Sequence, residues 1–376
     1  MDVLKEMHRH GHEQVVFCHD ETAGLRAIIA IHSTALGPAL GGVRMWPYAS
    51  TDEALRDVLR LARAMTYKAA AAGLPLGGGK AVLIRDPRRP KTEAMLRAFG
   101  RAVEGLNGRY VTAEDVGMTV ADMEIVRKAT RYVTGTSTKK GGSGDPSFLT
   151  AKGVFYAIEI CLREIHGDPS ARNRTVAIQG VGKVGYHLAE LLAMAGARLV
   201  IADTDFQRAV LAQREFEAWR VEPEEILEAE CDVLSPCALG GQLNRKTIPK
   251  LRCRAIAGSA NNQLELPADC GRLEERGILY APDYIVNAGG IMNLFLELQG
   301  GRKRYDPAQA ERLVRRIPTT LSKVLAKARA GGITTAQAAD ELAEARLEEA
   351  GAKRMDVGVR HAVPRRGQTK RTRVRR

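Results

Sequence analysis

Within the 376 residues no stretch of eighteen or more is apolar, which argues against a membrane-spanning helix. The opening residues (MDVLKE) lack the basic-then-apolar run of a secretory signal. Cys-x-x-Cys pairs are missing too. Cys18, Cys161, Cys231, Cys237, Cys253 and Cys270 stand apart, a spacing that fits neither a zinc ribbon nor a disulfide framework. Free thiols in a reducing compartment are expected, and with them a cytoplasmic protein that has no membrane partner. There are no internal repeats, and the one biased segment is a basic run at the end of the chain.

The length predicts two domains, and 45% hydrophobic residues suffice for a core in each. A net charge of +13 invites a nucleic-acid reading, but residues 365–376 (RRGQTKRTRVRR) carry seven Lys or Arg and no acid. A solvated, disordered tail accounts for such a run, and the remaining excess is spread over helices, as in Arg56, Arg60 and Arg63. The distribution argues against a nucleic-acid partner.

The chain begins as an α/β region. Residues 14–32 read as two strands around a polar turn at 20–24, the second strand almost continuously apolar, as a buried strand would be. A Gly/Pro-rich loop is expected at 36–42, then a helix over 51–67 capped by Thr51 or Asp52. A strand at 81–84, a helix near 92–106 and a strand at 110–112 follow. Residues 134–149 (TGTSTKKGGSGDPSFL) read as a boundary or mobile loop. A helix near 151–166 leads into strand 174–179, helix 184–195 and strand 198–202, and strand–helix alternation continues to about 290. The stretch 306–350 is amphipathic and helical, suited to core and domain docking.

Residues 180–185 (GVGKVG) match G-x-G-x-x-G between an apolar strand and a helix, and a second strand ends at Asp203. That spacing is the dinucleotide-binding unit. Gly180 makes the tight turn, Gly182 lets backbone amides approach a pyrophosphate, and Gly185 lets the helix pack close to the strand. Lys183 and Val184 open the helix, whose N-terminus attracts phosphate. Asp203 would accept from the adenosine ribose hydroxyls and repel a 2′-phosphate, favouring NAD over NADP, although Arg208 lies downstream.

Three stretches of the first region join ionisable groups to small residues: 65–68 (MTYK), 77–80 (GGGK) and 113–117 (AEDVG). Lys68 ends an apolar helix face, a costly place for an unpartnered charge. Lys80 follows three glycines that would leave backbone open to a small ligand. Asp115 follows a strand end. Residue types alone leave open ordinary surface lysines and a turn aspartate. A nicotinamide site elsewhere would need acid–base groups, and two close or buried lysines lower one another's pKa until one can act as a base.

Together these segments carry a resemblance. With residues 37–42 (GPALGG), 107–117 (NGRYVTAEDVG), 180–188 (GVGKVGYHL), 236–240 (PCALG), 256–264 (IAGSANNQL) and 280–293 (YAPDYIVNAGGIMN), the chain from about 13 to 347 resembles the Glu/Leu/Phe/Val amino-acid dehydrogenase family, its leucine dehydrogenases most. The resemblance implies an α/β fold of two domains around a cleft. A substrate-binding and oligomerisation domain would span 1–134 and a Rossmann NAD domain 135–330. Segment 331–364 would return to the first domain, and 365–376 would be a disordered tail. It further implies reversible oxidative deamination of an L-amino acid by a homo-oligomer, without a metal. Lys68 would hold the substrate carboxylate, Lys80 would be the general base activating water, and Asp115 would move protons at the amino nitrogen. Gly77 and Gly78 would pack on the substrate, while Thr150 and Asn262 would orient the nicotinamide end and Cys237 and Ala238 would pack beside the cofactor.

Substrate preference follows from the same comparison. Glutamate-specific relatives carry a lysine and a serine where this chain has Leu40 and Leu294, and a carboxylate between two leucines is strongly disfavoured. Leu40, Ala113 and Ile291 suit a branched aliphatic side chain, whereas leucine at 294 resembles phenylalanine enzymes. Leucine, valine and isoleucine are the expected substrates, with a phenylalanine-preferring enzyme as the alternative. A catalytically silent sensor would have been expected to lose Lys80 or Asp115, and both are present. His8, His10 and His12 alternate, but an exposed polar stretch explains them as well as a metal site does.

Overall fold

The computed structural model describes residues 2–300 and 305–362, so the basic run 365–376 lies outside the described residues. The chain opens with helix α1 (Val3–His10), strands β1 (Gln14–Asp20), β2 (Leu25–Ser33) and β3 (Ala39–Trp46), helix α2 (Thr51–Ala71), strand β4 (Gly77–Ile84), helix α3 (Glu93–Glu104), strand β5 (Tyr110–Glu114) and helix α4 (Val120–Arg127). The strands form one sheet in the order β1-β2-β4-β3-β5. β2 is apolar along its length because both its faces are covered. Ile28 and Ala30 meet Leu55, Val58 and Ala62 of α2, while Ile29 and Ile31 meet Leu96 and Phe99 of α3.

Three sequence expectations change here. Residues 39–42 are the start of central strand β3 rather than loop, and the three glycines before Lys80 belong to β4. Glycine content suggests a loop at 36–42 and backbone open to a ligand at 77–79, but here the glycines let backbones approach: a Cβ on Gly41 would lie 1.7 Å from the Gly79 carbonyl oxygen. Helix α2 is capped by Ser50, whose side chain accepts from the Glu53 N–H, not by Thr51 or Asp52. The stretch holding His8 and His10 is helical. His12 is buried, bonding the Leu59 carbonyl oxygen at 2.9 Å and stacking edge-on to His32.

The second region contains α5 (Ser147–His166), β6 (Thr175–Gln179), α6 (Lys183–Met194), β7 (Arg198–Ala202), α7 (Phe206–Phe216), β8 (Trp219–Arg220), β9 (Cys231–Pro236), β10 (Cys253–Ile256), α8 (Asp269–Glu275) and β11 (Leu279–Tyr280). Its strands are all parallel, in the order β11-β10-β9-β6-β7-β8. This is the doubly wound Rossmann arrangement, and the order reverses between β6 and β9, where such sheets bind ligands outside the strands' carboxyl ends. The chain closes with α9 (Asp283–Val286), α10 (Gly289–Gly300), α11 (Pro307–Val314), α12 (Ile317–Gly331) and α13 (Thr335–Ala362). Leu321 and Val324 of α12 join the Rossmann core, whereas α13 returns to α2: Glu344 accepts from Tyr67 Oη at 2.7 Å and Arg346 donates to the Ala70 carbonyl at 2.6 Å.

The stretch 134–149, expected to be a boundary or mobile loop, is pinned. Glu297 on α10 accepts from the Gly135 N–H (2.9 Å), from Thr136 Oγ1 (2.8 Å) and from the Ser143 N–H and hydroxyl (2.9 and 2.6 Å). A carboxylate taking that many bonds removes the freedom that the glycine content implied.

Candidate active site

Lys80 ends the glycine run in β4 and is buried, 6% exposed. Its ammonium pairs directly with the Asp115 carboxylate, just past the end of β5. Arg44 on β3 approaches the same carboxylate, Nε to Oδ2 at 3.6 Å, and also pairs with Asp57 at 3.1 Å. Burial works to raise the Asp115 pKa, but the Lys80 and Arg44 charges outweigh it and hold the carboxyl at about 2. Asp115 is therefore a carboxylate throughout the physiological range.

Lys68 lies near the end of α2 and faces the second region, its Nζ donating to Asn261 Oδ1 at 3.0 Å. Burial pushes its pKa down to about 8, the charge of Asp283 opposes this, and the neighbouring Lys80 adds to the lowering. The depression expected for a lysine pair is present at Lys68, where burial is its main cause.

Gly77 and Gly78 adjoin these lysines but are buried, and their absent side chains make room for protein. A Cβ on Gly77 would lie 2.0 Å from the Ser33 carbonyl oxygen, and one on Gly78 would lie 2.0 Å from the Thr66 nitrogen. The close approach they permit is of α2 and the β2 end onto β4, which sets Lys68 beside Lys80.

A cleft of about 740 Å³ opens above Asp115, with Arg44 and Val116 on one wall and Ala238, Leu239, Asn261 and Asn262 on the other. Ala238 and Leu239 also line a hollow of about 330 Å³ with Gly180 and Asp203. The glycine loop has the geometry that its spacing predicts. Gly180 has a φ of 91° and packs against Ala238, a Cβ on Gly185 would lie 1.9 Å from the Gly180 carbonyl oxygen, and beside Gly182 there is open space. A cradle open at Gly182 and facing a helix N-terminus fits a dinucleotide pyrophosphate. Asp203 accepts from the Val181 N–H at 2.8 Å, tying the tip of β7 to this loop.

The other cofactor positions differ in character. Cys237 packs its Cβ toward Gly185, and Asn262 adopts a left-handed φ of 53° at the cleft wall. Val184 packs its side chain against the Rossmann core, leaving its backbone N–H to face a ligand. The Thr150 hydroxyl donates back to the Pro146 carbonyl at 3.0 Å, beside Gly290. Lys183 reaches out of the loop to Glu114 at 3.2 Å and Asp145 at 2.9 Å, joining the two regions.

The positions expected to read the substrate side chain come together. Leu40, Ile291 and Leu294 share one apolar cluster with Leu74, Leu76 and Val111, where α10 lies against the ends of β3 and β5. Ala113 is buried beside it, paired with Gly42 in the sheet. Sequence reasoning missed Arg44, Asn261, Asp283 and Glu297. The adjacent asparagines 261–262 in a turn offered a signal, but Arg44 in an apolar strand and Glu297 in a helix offered none, since only the fold reveals their partners.

Similarity to known proteins extends over most of the chain. The Glu/Leu/Phe/Val dehydrogenase dimerisation domain matches residues 12–132, and the Glutamate/Leucine/Phenylalanine/Valine dehydrogenase domain matches 141–222 and 201–354. Leucine dehydrogenase of Geobacillus stearothermophilus is 52% identical over 348 residues, 93% of this chain and 94% of that protein. Valine dehydrogenase of Streptomyces albus is 48% identical over 347 residues, 92% of this chain and 94% of its own. Among solved structures, L-tryptophan dehydrogenase from Nostoc punctiforme matches with a TM-score of 0.79 at 42% identity, covering 93% of this chain and 99% of that one.

Proposed function

The chain belongs to the Glu/Leu/Phe/Val dehydrogenase family, and from that premise we propose that it carries out NAD-dependent, reversible oxidative deamination of apolar L-amino acids, chiefly leucine, valine and isoleucine. It is an amino-acid dehydrogenase. The observation that carries the reading is the buried Lys80–Asp115 pair, whose Asp115 lines the cleft, with Lys68 beside Lys80. An apolar cluster at Leu40, Ile291 and Leu294 supports an apolar side chain over a carboxylate.

Each residue has a part. Lys68 binds the substrate carboxylate, fixing the α-carbon over the cleft floor. A dinucleotide would be held by Gly180, Gly182, Lys183, Val184 and Gly185 at its pyrophosphate and by Asp203 at its adenosine ribose, with Cys237 and Ala238 packed beside it, and its nicotinamide, oriented by Thr150 and Asn262, would supply the acceptor for the hydride leaving that carbon. Asp115 takes the proton lost from the amino nitrogen as the iminium forms. Lys80, in its neutral form, takes a proton from the water that adds to the iminium carbon. Asp115, in direct contact with Lys80, then returns its proton to the nitrogen; ammonia leaves as the hydroxyl of the water adduct gives its proton to the Asp115 carboxylate, and the two protons left on Lys80 and Asp115 go to solvent as the 2-oxo acid departs. Gly77, Gly78 and Ala113 shape the floor through the backbone packing they allow.

The same reading divides the chain into a substrate domain (1–134), a dinucleotide domain (135–330) and a returning segment (331–364), and assigns a homo-oligomer. The dimerisation-domain match supports the oligomer, as does β1, which stands at the sheet edge among the described residues. Six cysteines present as thiols support a cytoplasmic location. Among the described residues no helix is long and apolar enough to cross a membrane. Absorbance of reduced nicotinamide across a panel of L-amino acids tests the reading. Turnover with branched-chain substrates and NAD is expected, and none with any aliphatic or aromatic substrate refutes it.

A further inference from the structure

We infer that Glu297 is a positioning residue for substrate selection: it clamps the segment 134–143 against Leu294, so that the Leu294 wall of the side-chain pocket cannot retreat. The inference rests on the assignment of Leu294 to that wall. Glu297 and Leu294 are an i, i+3 pair on α10 and share one face of the helix. A leucine shapes a pocket by bulk alone and can change rotamer, so how sharply it discriminates depends on what stands behind it.

Behind Leu294 stands backbone. A Cβ on Gly135 would lie 3.4 Å from Leu294 Cδ2, and the φ of 76° at Gly135 is one that glycine holds without strain. The neighbouring Thr134 hydroxyl donates to the Leu294 carbonyl at 3.3 Å. Glu297 fixes this stretch with both carboxylate oxygens. Its Oε2 accepts from the Gly135 N–H at 2.9 Å and from the Ser143 N–H and hydroxyl at 2.9 and 2.6 Å. Its Oε1 accepts from the Thr136 N–H at 3.3 Å and from the Thr136 hydroxyl at 2.8 Å. That hydroxyl accepts in turn from Arg127 of α4 at 2.9 Å, which sets the direction of its own proton toward Glu297. The two arms of the loop can reach one carboxylate because Gly142 has no side chain: a Cβ there would lie 2.2 Å from the Thr136 carbonyl oxygen. Every one of these bonds needs an acceptor, and a glutamine would offer one oxygen and set its NH2 against N–H and O–H donors. The same helix face thus carries the residue that touches the substrate side chain and the residue that holds the backbone behind it.

The test is the ratio of kcat/KM for phenylalanine to that for valine, measured in the full-length enzyme. Glu297→Gln keeps the volume and loosens the clamp. The ratio is expected to rise about fivefold, inside the range that a hydrophobic pocket controls, with kcat for valine changed less than about threefold. NADH affinity, read from the fluorescence of the bound nucleotide, should stay at wild type. Added to Leu294→Ala, Glu297→Gln should shift the ratio no further, because the wall it braces is already gone. If Leu294→Ala shifts the ratio but Glu297→Gln weakens both substrates by one common factor, the inference is overturned and the clamp is structural only. A full multiplication of the two shifts in the double variant also overturns it. So does weakened NADH binding with an unchanged ratio, which assigns the clamp to the cofactor end. An unchanged ratio in Leu294→Ala overturns the underlying assignment first. Should Glu297→Gln fail to fold, Ser143→Ala removes one donor and keeps the carboxylate. Its ratio should rise about twofold, and an unchanged ratio there overturns the inference.

Discussion

Lys80 and Asp115 meet across a strand that lies between them. Lys80 belongs to β4 and Asp115 follows β5, and β3 separates these in the sheet. The contact passes at Gly42, where a Cβ would lie 2.9 Å from the Asp115 Cβ and 2.6 Å from the Glu114 carbonyl oxygen. Gly42→Ala should therefore push Asp115 away from Lys80. A displacement of about 1 Å at reacting groups costs on the order of 10²-fold in rate, so kcat should fall steeply while NADH affinity holds. Steady-state kinetics with a fluorescence titration checks it.

The pH dependence of substrate binding should report Lys68. Its pKa is lowered from 10.5 to about 8, so the ammonium is present below that pH and lost above it. With a 2-oxo acid, whose carboxylate is ionised throughout, KM should be flat below pH about 8 and rise roughly tenfold per unit above it. In Lys68→Ala the profile should lose that break. The Asp115 carboxyl, held at about 2, should add no break in the working range.

Much of this was legible in the sequence. The dinucleotide unit was clear because its three glycines have separate physical duties, and the structure shows the left-handed φ of Gly180, the open space beside Gly182 and the close approach at Gly185. Lys68, Lys80 and Asp115 were visible as charges beside small residues. The glycine runs at 41–42 and 77–79 misled, because the packing of one backbone on another inside a sheet leaves the same sequence mark as a turn. Arg44 and Glu297 were invisible for a different reason. Their meaning lies in partners far along the chain, Asp115 and the loop of Thr136 and Ser143, and no local pattern records such a pairing.

Substrate choice should respond to Leu294, which packs in the apolar cluster with Leu40 and Ile291 and lies over Gly135. Leu294→Ala removes bulk from that cluster. The kcat/KM ratio of phenylalanine to valine should rise by about 10-fold or more, within the ~1–3 kcal/mol that a hydrophobic pocket can discriminate. Competition assays with the two amino acids measure it, and an unchanged ratio removes Leu294 from the pocket wall.

Cofactor choice should respond to Asp203 in two separable ways. Asp203→Asn keeps an acceptor for the Val181 N–H and removes the charge, so the preference for NADH over NADPH should shrink by about tenfold, the scale of one partly screened charge–charge interaction. Asp203→Ala also releases the glycine loop, and should weaken both nucleotides together. Fluorescence titrations with NADH and NADPH separate the two effects.

The central claim is that Lys80 is the base for water attack, and the kcat of Lys80→Ala for leucine deamination tests it most directly. With NADH affinity and melting temperature serving as controls for the fold, kcat should fall by about 10²–10⁴-fold. Turnover within a few-fold of wild type in that variant would contradict the account.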